Sequence, residues 1–239
     1  MNERHRLDEI SARTNYGDGV NGSMIEFGAR VARAWIKPGR VLELGPAEGK
    51  STKILSVGLE SYEVVEASAS YCAELRLQLP HITVHNCLFE EFIPSSGFST
   101  IILGHVLEHV EDPNEILHLA ASWLEPDGLI IAATPNAMSL HRQLGVLAGM
   151  LQSETDLNES DYSIGHRRVF SPDSLQGLIQ SCSLLELVHF GGYFLKPFSN
   201  SQLDTIANES LLMSLMKLGE RYPSIAGDIF VVARHRGRE

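Results

Sequence analysis

Short apolar runs alternate with amphipathic segments along most of this 239-residue chain. That alternation predicts an α/β fold, a doubly wound sheet covered by helices on both faces. Strand-like runs fall at residues 40–44, 63–66, 82–85, 100–104, 129–133, 185–189 and 229–233, and seven such strands fit one sheet. Between them, helical spacing predicts crossovers over residues 51–58, 69–79 and 113–124, the last ending at Pro126-Asp127-Gly128. Ser171-Pro172-Asp173 is a helix start: serine caps the free N–H groups, and proline fits the first helical position, where an N–H has no acceptor. That helix is expected to run to about Cys182.

Two stretches break the alternation, residues 136–168 after the fifth strand and residues 191–223 between the last two. Both hold apolar residues at helical spacing, as in Leu211, Leu212, Leu215, Met216 and Leu218, so they are expected to be ordered caps over the sheet edge. Residues 1–34 read as a helical lid hinged at Tyr16-Gly17-Asp18-Gly19. With no internal repeat, residues 1–239 are expected to form a single domain.

Composition narrows the partners. Lys plus Arg number 19 against 30 Asp plus Glu, a formal charge of −11, which disfavours non-specific attraction to nucleic acid or anionic membranes. The three cysteines, Cys72, Cys87 and Cys182, are odd in number and widely spaced, which suits reduced thiols and gives no structural zinc motif. No apolar run has the length of a signal peptide or a membrane span. A soluble cytoplasmic protein, monomer or homodimer, with a small-molecule partner, is the expectation.

The candidate chemistry begins at Val41-Leu42-Glu43-Leu44-Gly45-Pro46-Ala47-Glu48-Gly49, where a strand, a glycine turn and a helix start place backbone N–H groups beside any ligand above them. A phosphate loop needs Gly-x-x-x-x-Gly-Lys-[Ser/Thr]; Gly45-x-x-x-Gly49-Lys50-Ser51 is one residue short, and the fourth strand lacks a terminal Asp for Mg²⁺. A dinucleotide site wants a middle glycine where Ala47 stands, and Glu48 opposes two phosphates. S-adenosylmethionine (AdoMet) carries no phosphate: Glu43 suits its ammonium group, the glycines its methionine tail, and Glu66, ending the second strand, its two ribose hydroxyls. An ordinary turn beside an exposed Glu is the plain structural alternative.

The ordered set of Glu43 to Gly49, Val64-Val65-Glu66-Ala67-Ser68, His105-Val106-Leu107-Glu108-His109-Val110-Glu111-Asp112-Pro113, Trp123-Leu124-Glu125-Pro126-Asp127-Gly128-Leu129 and Ala133-Thr134-Pro135-Asn136 resembles the class I AdoMet-dependent methyltransferases. The likeness runs from about Val41 to Cys182 and is greatest to the subgroup of ubiquinone-pathway and small-molecule enzymes. The resemblance implies strand order 3-2-1-4-5-7-6 with the last strand antiparallel. It also implies S-adenosylhomocysteine as product, a cofactor site at Tyr16, Glu43, Gly45, Pro46, Ala47, Gly49, Glu66, Ala67 and Ser68, and an adenine wall at Cys87, Leu88 and Phe89. Gly104, His105 and Val106 would lie under the methionine end. Many relatives have an Asp where this chain has Asn86 and Cys87.

His105-x-x-Glu108-His109 also matches an inverted zinc-protease pattern, but those ligands need one helix and this run starts at a strand end, so no metal is expected. In the methyltransferase reading, His109 stands at the mouth as a catalytic group or a loop-stabilising one. Substrate contacts are expected from the caps: His166 as base or orienter, Arg167 on an acidic acceptor, and His141, Arg142 and Tyr193 beside them. Arg167 has a plainer alternative in a solvated turn paired with Asp161, and Arg142 in the wet face of a helix. The acceptor is expected to be O or N of a small molecule; a protein acceptor, or an AdoMet-binding partner without turnover, are the alternatives.

Overall fold

The computed structural model describes Arg6 and residues 19–237. Seven strands form one sheet: β1 (Arg40–Leu44), β2 (Ser61–Val65), β3 (Thr83–His85), β4 (Phe98–Gly104), β5 (Leu124–Pro135), β6 (Leu185–Tyr193) and β7 (Asp228–His235). Their order is β3-β2-β1-β4-β5-β7-β6, as expected. β1 pairs in parallel with β2 and β4, whereas β7 runs antiparallel to both β5 and β6. The central strands are buried on both faces, which is why they read as continuous apolar runs.

Period-two alternation divides those runs between two cores. Leu42, Leu44, Ile101, Leu103, Ile130 and Ala132 pack on one face against Ile116, Leu117, Ala120 and Ala121 of helix α4 (Pro113–Ser122) and Leu175 and Ile179 of α7 (Pro172–Ser181). Val41, Tyr62, Val64, Ile102 and Ile131 face the other way, onto Leu55 of α2 (Thr52–Leu55) and Leu75 of α3 (Ala69–Gln78). The helix starts follow their sequence signals. Asp112 accepts from the N–H groups of Asn114 at 2.8 Å and Glu115 at 3.3 Å, with Pro113 in the first position. Ser171 accepts from Ser174 N–H at 3.1 Å, ahead of Pro172.

Several boundaries differ from expectation, and three have a clear local cause. The first crossover helix shrinks to α2, and the chain turns away through Gly58 at φ +70°. β5 starts at Leu124, because Leu124 pairs with Phe98 and residues 125–128 bulge out, Asp127 adopting φ +62°. A Cβ on Gly128 would meet the Glu125 and Phe98 carbonyl oxygens at 2.9 Å. Finally, Gly191 and Gly192 read as a loop yet belong to β6, since a Cβ on Gly191 would strike the Phe230 ring at 2.4 Å. The second insertion therefore begins after Tyr193.

Helix α1 (Gly19–Arg33) borders α2, so the described part of the N-terminal segment packs on the sheet. The first insertion supplies α5 (Leu140–Leu147) and α6 (Glu159–Ser163); the second supplies α8 (Asn200–Ile206) and α9 (Glu209–Arg221). Leu212, Leu215 and Met216 of α9 pack with Tyr193 and Phe194, while Leu211 remains exposed. Among the described residues no helix is long and apolar enough to cross a membrane.

The α9 contact is close enough to test. A Cβ on Gly219 would lie 2.2 Å from Phe194 N and 2.4 Å from the Tyr193 carbonyl carbon, both backbone atoms. Gly219→Ala is expected to destabilise the fold by about 3 kcal/mol, the upper range for overpacking, read from urea unfolding; an unchanged midpoint would show that α9 is not pressed against β6.

Candidate functional site

Strand β1 ends at the carboxyl edge of the sheet, and the chain leaves it through Gly45 at φ +62°, Ala47 at +48° and Gly49 at +75°. Gly45 N–H donates to Val65 O at 2.9 Å, which ties the loop to the end of β2. Beneath the loop, the buried Glu43 carboxylate accepts from Ser51 Oγ at 2.6 Å, Thr52 Oγ1 at 2.7 Å and Tyr62 Oη at 2.9 Å. Burial raises its pKa, and the three hydrogen bonds oppose that shift without cancelling it. Ser51 is the hydroxyl a phosphate loop would turn toward Mg²⁺; here it is turned toward Glu43.

Glu66 stands at the adjoining strand end, also buried. Its Oε2 accepts from Ala47 N–H at 3.2 Å and its Oε1 from Ser68 N–H at 2.8 Å, so the carboxylate is held against both the glycine loop and its own strand. Asn86 Nδ2 donates to the Glu66 and Ala67 carbonyls at 3.0 and 2.9 Å, joining the ends of β2 and β3. Gly49 has a different task. A Cβ there would meet Leu75 Cδ2 at 2.4 Å, so this glycine lets α3 pack under the loop and does not reach the cavity.

A cavity of about 1480 Å³ extends from this loop to the caps. Of the cofactor candidates, Glu43, Gly45, Pro46, Ala47, Glu66, Ala67, Ser68, Leu88, Phe89, Gly104, His105 and Val106 line it. Cys87 does not; it packs against the core. Tyr16 lies outside the described residues. Gly104 is exposed at the end of β4, with nothing within 4 Å of where a Cβ would stand. The cradle therefore fits a flat, polar-edged cofactor: the Glu66 carboxylate at the second strand end, an apolar wall at Leu88 and Phe89, and an open floor at Gly104.

His109, His141, His166 and Tyr193 line the other end, where the structure adds residues that the sequence reading did not place in the site: Asp161, Lys196 and Asp228. His105, at φ +57°, places Nδ1 3.3 Å from Oε1 of the fully buried Glu108. Burial alone would lower the His105 pKa, but Glu108 and the Asp228 charge together raise it to about 9. Burial likewise opposes ionisation of Glu108, and the surrounding histidines prevail, lowering its pKa. His109 is pushed down to about 4, chiefly by burial, and His141 to about 3, by burial and then Lys196. Both rings are uncharged at neutral pH.

His166 is buried, its Nδ1 3.4 Å from Asp161 Oδ1, and its ring meets that of His109 edge to face at 4.7 Å. Asp161 also accepts from Asn158 N–H at 3.0 Å and from Arg142 at 3.1 Å. Asp228 opens β7 opposite Pro135 and Tyr193. Because β7 is antiparallel, its first residue falls at the carboxyl edge of its neighbours, the one positional signal that marked it in the sequence.

The predicted arginines are engaged by the protein. Arg142 is buried and donates to the carbonyls of Glu154 and Asp156 as well as to Asp161, so it pins the first cap, although part of it lines the cavity. Arg167 Nε donates to His109 O at 2.9 Å and Arg168 to the carbonyls of Leu107, Val110 and Glu111. Arg167 does not line the cavity. This basic turn fastens the loop at residues 105–112. Arg6 lines the cavity mouth and donates to the carbonyls of His109, at 3.2 Å, and Gly165, at 3.5 Å.

Strand order, the glycine cradle and Glu66 at the second strand end define the class I AdoMet-dependent methyltransferase fold. The model of the methyltransferase domain family matches residues 16–182, and the chain belongs to that family. Similar solved structures include the N-methyltransferase NodS of Bradyrhizobium japonicum WM9 in complex with S-adenosylhomocysteine. Its TM-score is 0.62 at 12% identity, over 98% of this chain and 99% of that one. The putative methyltransferase of Haloferax volcanii bound to the activator Trm112 gives 0.67 at 14%, over 99% and 98%. The plantazolicin methyltransferase BpumL with S-adenosylhomocysteine gives 0.60 at 12%, over 99% and 98%. No curated protein matches the sequence.

The buried Asp161 supports a stability test. Burial opposes its ionisation, but His166, the Asn158 backbone and Arg142 prevail, lowering its pKa from 3.8 to about 2. A depressed folded-state pKa contributes stability that is complete above the unfolded value and is lost as pH falls through the folded one. Asp161→Asn is therefore expected to cost about 2 kcal/mol at pH 7. In urea titrations the gap to the parent should close between pH 4 and pH 2; a gap independent of pH would remove the carboxylate as its source.

Proposed function

We propose that this chain transfers a methyl group from AdoMet to an oxygen or nitrogen of a small-molecule acceptor, releasing S-adenosylhomocysteine. The observation that carries the reading is the continuity of one cavity from the glycine loop to the histidine cluster. Its volume, about 1480 Å³, exceeds the roughly 300–1,000 Å³ usual for a single ligand, leaving room for a cofactor and an acceptor together. Bound AdoMet would supply a methyl group on a sulfonium, which already activates the leaving group for in-line displacement.

The protein's task is then to hold, orient and exclude water. Glu66 would hold the ribose hydroxyls, the backbone at Gly45 and Ala47 the methionine tail, and Leu88 and Phe89 the adenine. Glu43 acts one layer below: its carboxylate is taken up by Ser51, Thr52 and Tyr62, so it shapes the loop. His105, with a pKa of about 9, stays charged above Glu108, and His109 and His141 are too weakly basic at about 4 and 3 to take a proton near neutrality. His166 faces the cavity with Asp161 3.4 Å behind it and would activate or orient the acceptor. The caps cover this end, and Arg6 lies beside it, donating to the His109 carbonyl.

Glu66→Ala is expected to weaken AdoMet binding by about 30-fold or more, about 2 kcal/mol, as for a lost pair of charged hydrogen bonds; calorimetric affinity equal to the parent's would sink the cofactor assignment. His166→Ala should lower kcat by about 100-fold, within the range of general acid–base contributions, while the AdoMet Kd stays within threefold, about 0.7 kcal/mol. The acceptor itself is to be sought by incubating the protein with methyl-labelled AdoMet and a metabolite extract, then following label by mass spectrometry. Label found only on protein would replace a small molecule with a polypeptide.

A further inference from the structure

We propose that Glu108, His109 and His166 form a binding site for one divalent first-row cation of the Zn²⁺ and Co²⁺ type, at the acceptor end of the cavity. One ligand atom from each side chain lies within 4.8 Å of the other two. In a tetrahedral site with bonds of roughly 2.1 Å the ligand atoms stand about 3.4 Å apart, so the three need to close by at most about 1.4 Å around an ion. A carboxylate with two imidazoles selects borderline cations over Mg²⁺ or Ca²⁺, which favour all-oxygen shells.

A second observation points to a ligand independently of that spacing. Glu108 is fully buried, and among the described residues neither carboxylate oxygen has a hydrogen-bond partner; its ionic contact there, to His105 Nδ1, is at 3.3 Å. A buried carboxylate left in this state is costly, and a cation bound directly to it removes the cost. Both histidines have a polar group on the side away from the cluster. The His109 ring bonds to the Gly165 backbone, which leaves its second nitrogen for another partner, and Asp161 stands behind His166 at 3.4 Å. Such outer carbonyls and carboxylates orient metal-binding imidazoles.

The sequence pattern alone pointed away from a metal, because His105, Glu108 and His109 do not share a helix. The structure replaces His105 with His166, brought in from the end of the first cap, and Arg167 fastens the two segments by donating to His109 O. His109 and His166 both face the cavity while Glu108 lies behind them, so the open coordination position is toward the acceptor. A cation there would bind an acceptor oxygen and favour its deprotonation. That role rests on the methyl-transfer reading; the binding of the cation does not.

The test is titration of chelator-treated protein with Co²⁺, followed by the visible bands of a nitrogen- and oxygen-ligated site. One Co²⁺ per chain is expected. His166→Ala and Glu108→Gln should each weaken binding by at least 100-fold, and Asp161→Asn by about tenfold, in the range for outer-shell partners. Calorimetric AdoMet binding, expected to survive in His166→Ala, shows that this variant is folded. A parallel readout is the Zn²⁺-dependent rise in Tm of the parent, expected to be absent in Glu108→Gln. No Co²⁺ band at millimolar metal, or equal binding by parent and a folded His166→Ala, overturns the proposal. Co²⁺ binding without AdoMet binding would instead overturn methyl transfer and leave the cation site standing.

Discussion

The buried carboxylate of Glu43 governs the edge of the sheet on which everything else is arranged. It draws Ser51 and Thr52 down from the start of α2 and Tyr62 across from β2, so three elements meet on one side chain. Each bond satisfies a polar group that burial would otherwise leave exposed to an apolar interior. With the return of the loop fixed in this way, Gly45 and Ala47 can keep left-handed conformations, and Ala47 N–H meets Glu66. The cradle is thus braced from below by one acid and closed from the side by another.

The other half of the cavity is organised by charge. Acid and base alternate through His105, Glu108, Asp161 and Arg142, with Glu108 3.3 Å from His105 and Asp161 3.1 Å from Arg142. The arrangement divides the histidines by environment. His105 sits between Glu108 and Asp228 and holds its proton, whereas His109 loses its own to burial. Rings that look alike in composition therefore arrive at the cavity in different states, His105 charged and His109 and His141 neutral at pH 7.

Sequence made the cofactor half legible because that half is local. Strand, glycine turn and helix are contiguous from Val41 to Leu55, and Glu66 follows at the next strand end. Gly49 was assigned to the ligand although its neighbour is Leu75, a contact made by packing and invisible in spacing. The acceptor half was only partly legible: Asp161, Lys196 and Asp228 come from a cap, a loop and the last strand, and no pattern in the chain announces their meeting. Arg167 in its basic turn suggests an anionic acceptor and Arg142 a second substrate contact, yet both bind backbone carbonyls. Secondary-structure boundaries failed for a similar reason. Gly191 and Gly192 carry breaker chemistry, but the crowding of Phe230 and Pro223 demands residues without side chains there.

The position of β7 carries a consequence for how the molecule is made. It is the last strand in the chain, yet it lies between β5 and β6, pairing with both. During synthesis β6 has no sheet partner until residues 228–235 are available, so one edge of the sheet must wait while the other is complete. Pairings of this long-range kind form late. Asp228, the first residue of that strand, also lines the cavity, so the chamber is complete only once this strand has joined the sheet.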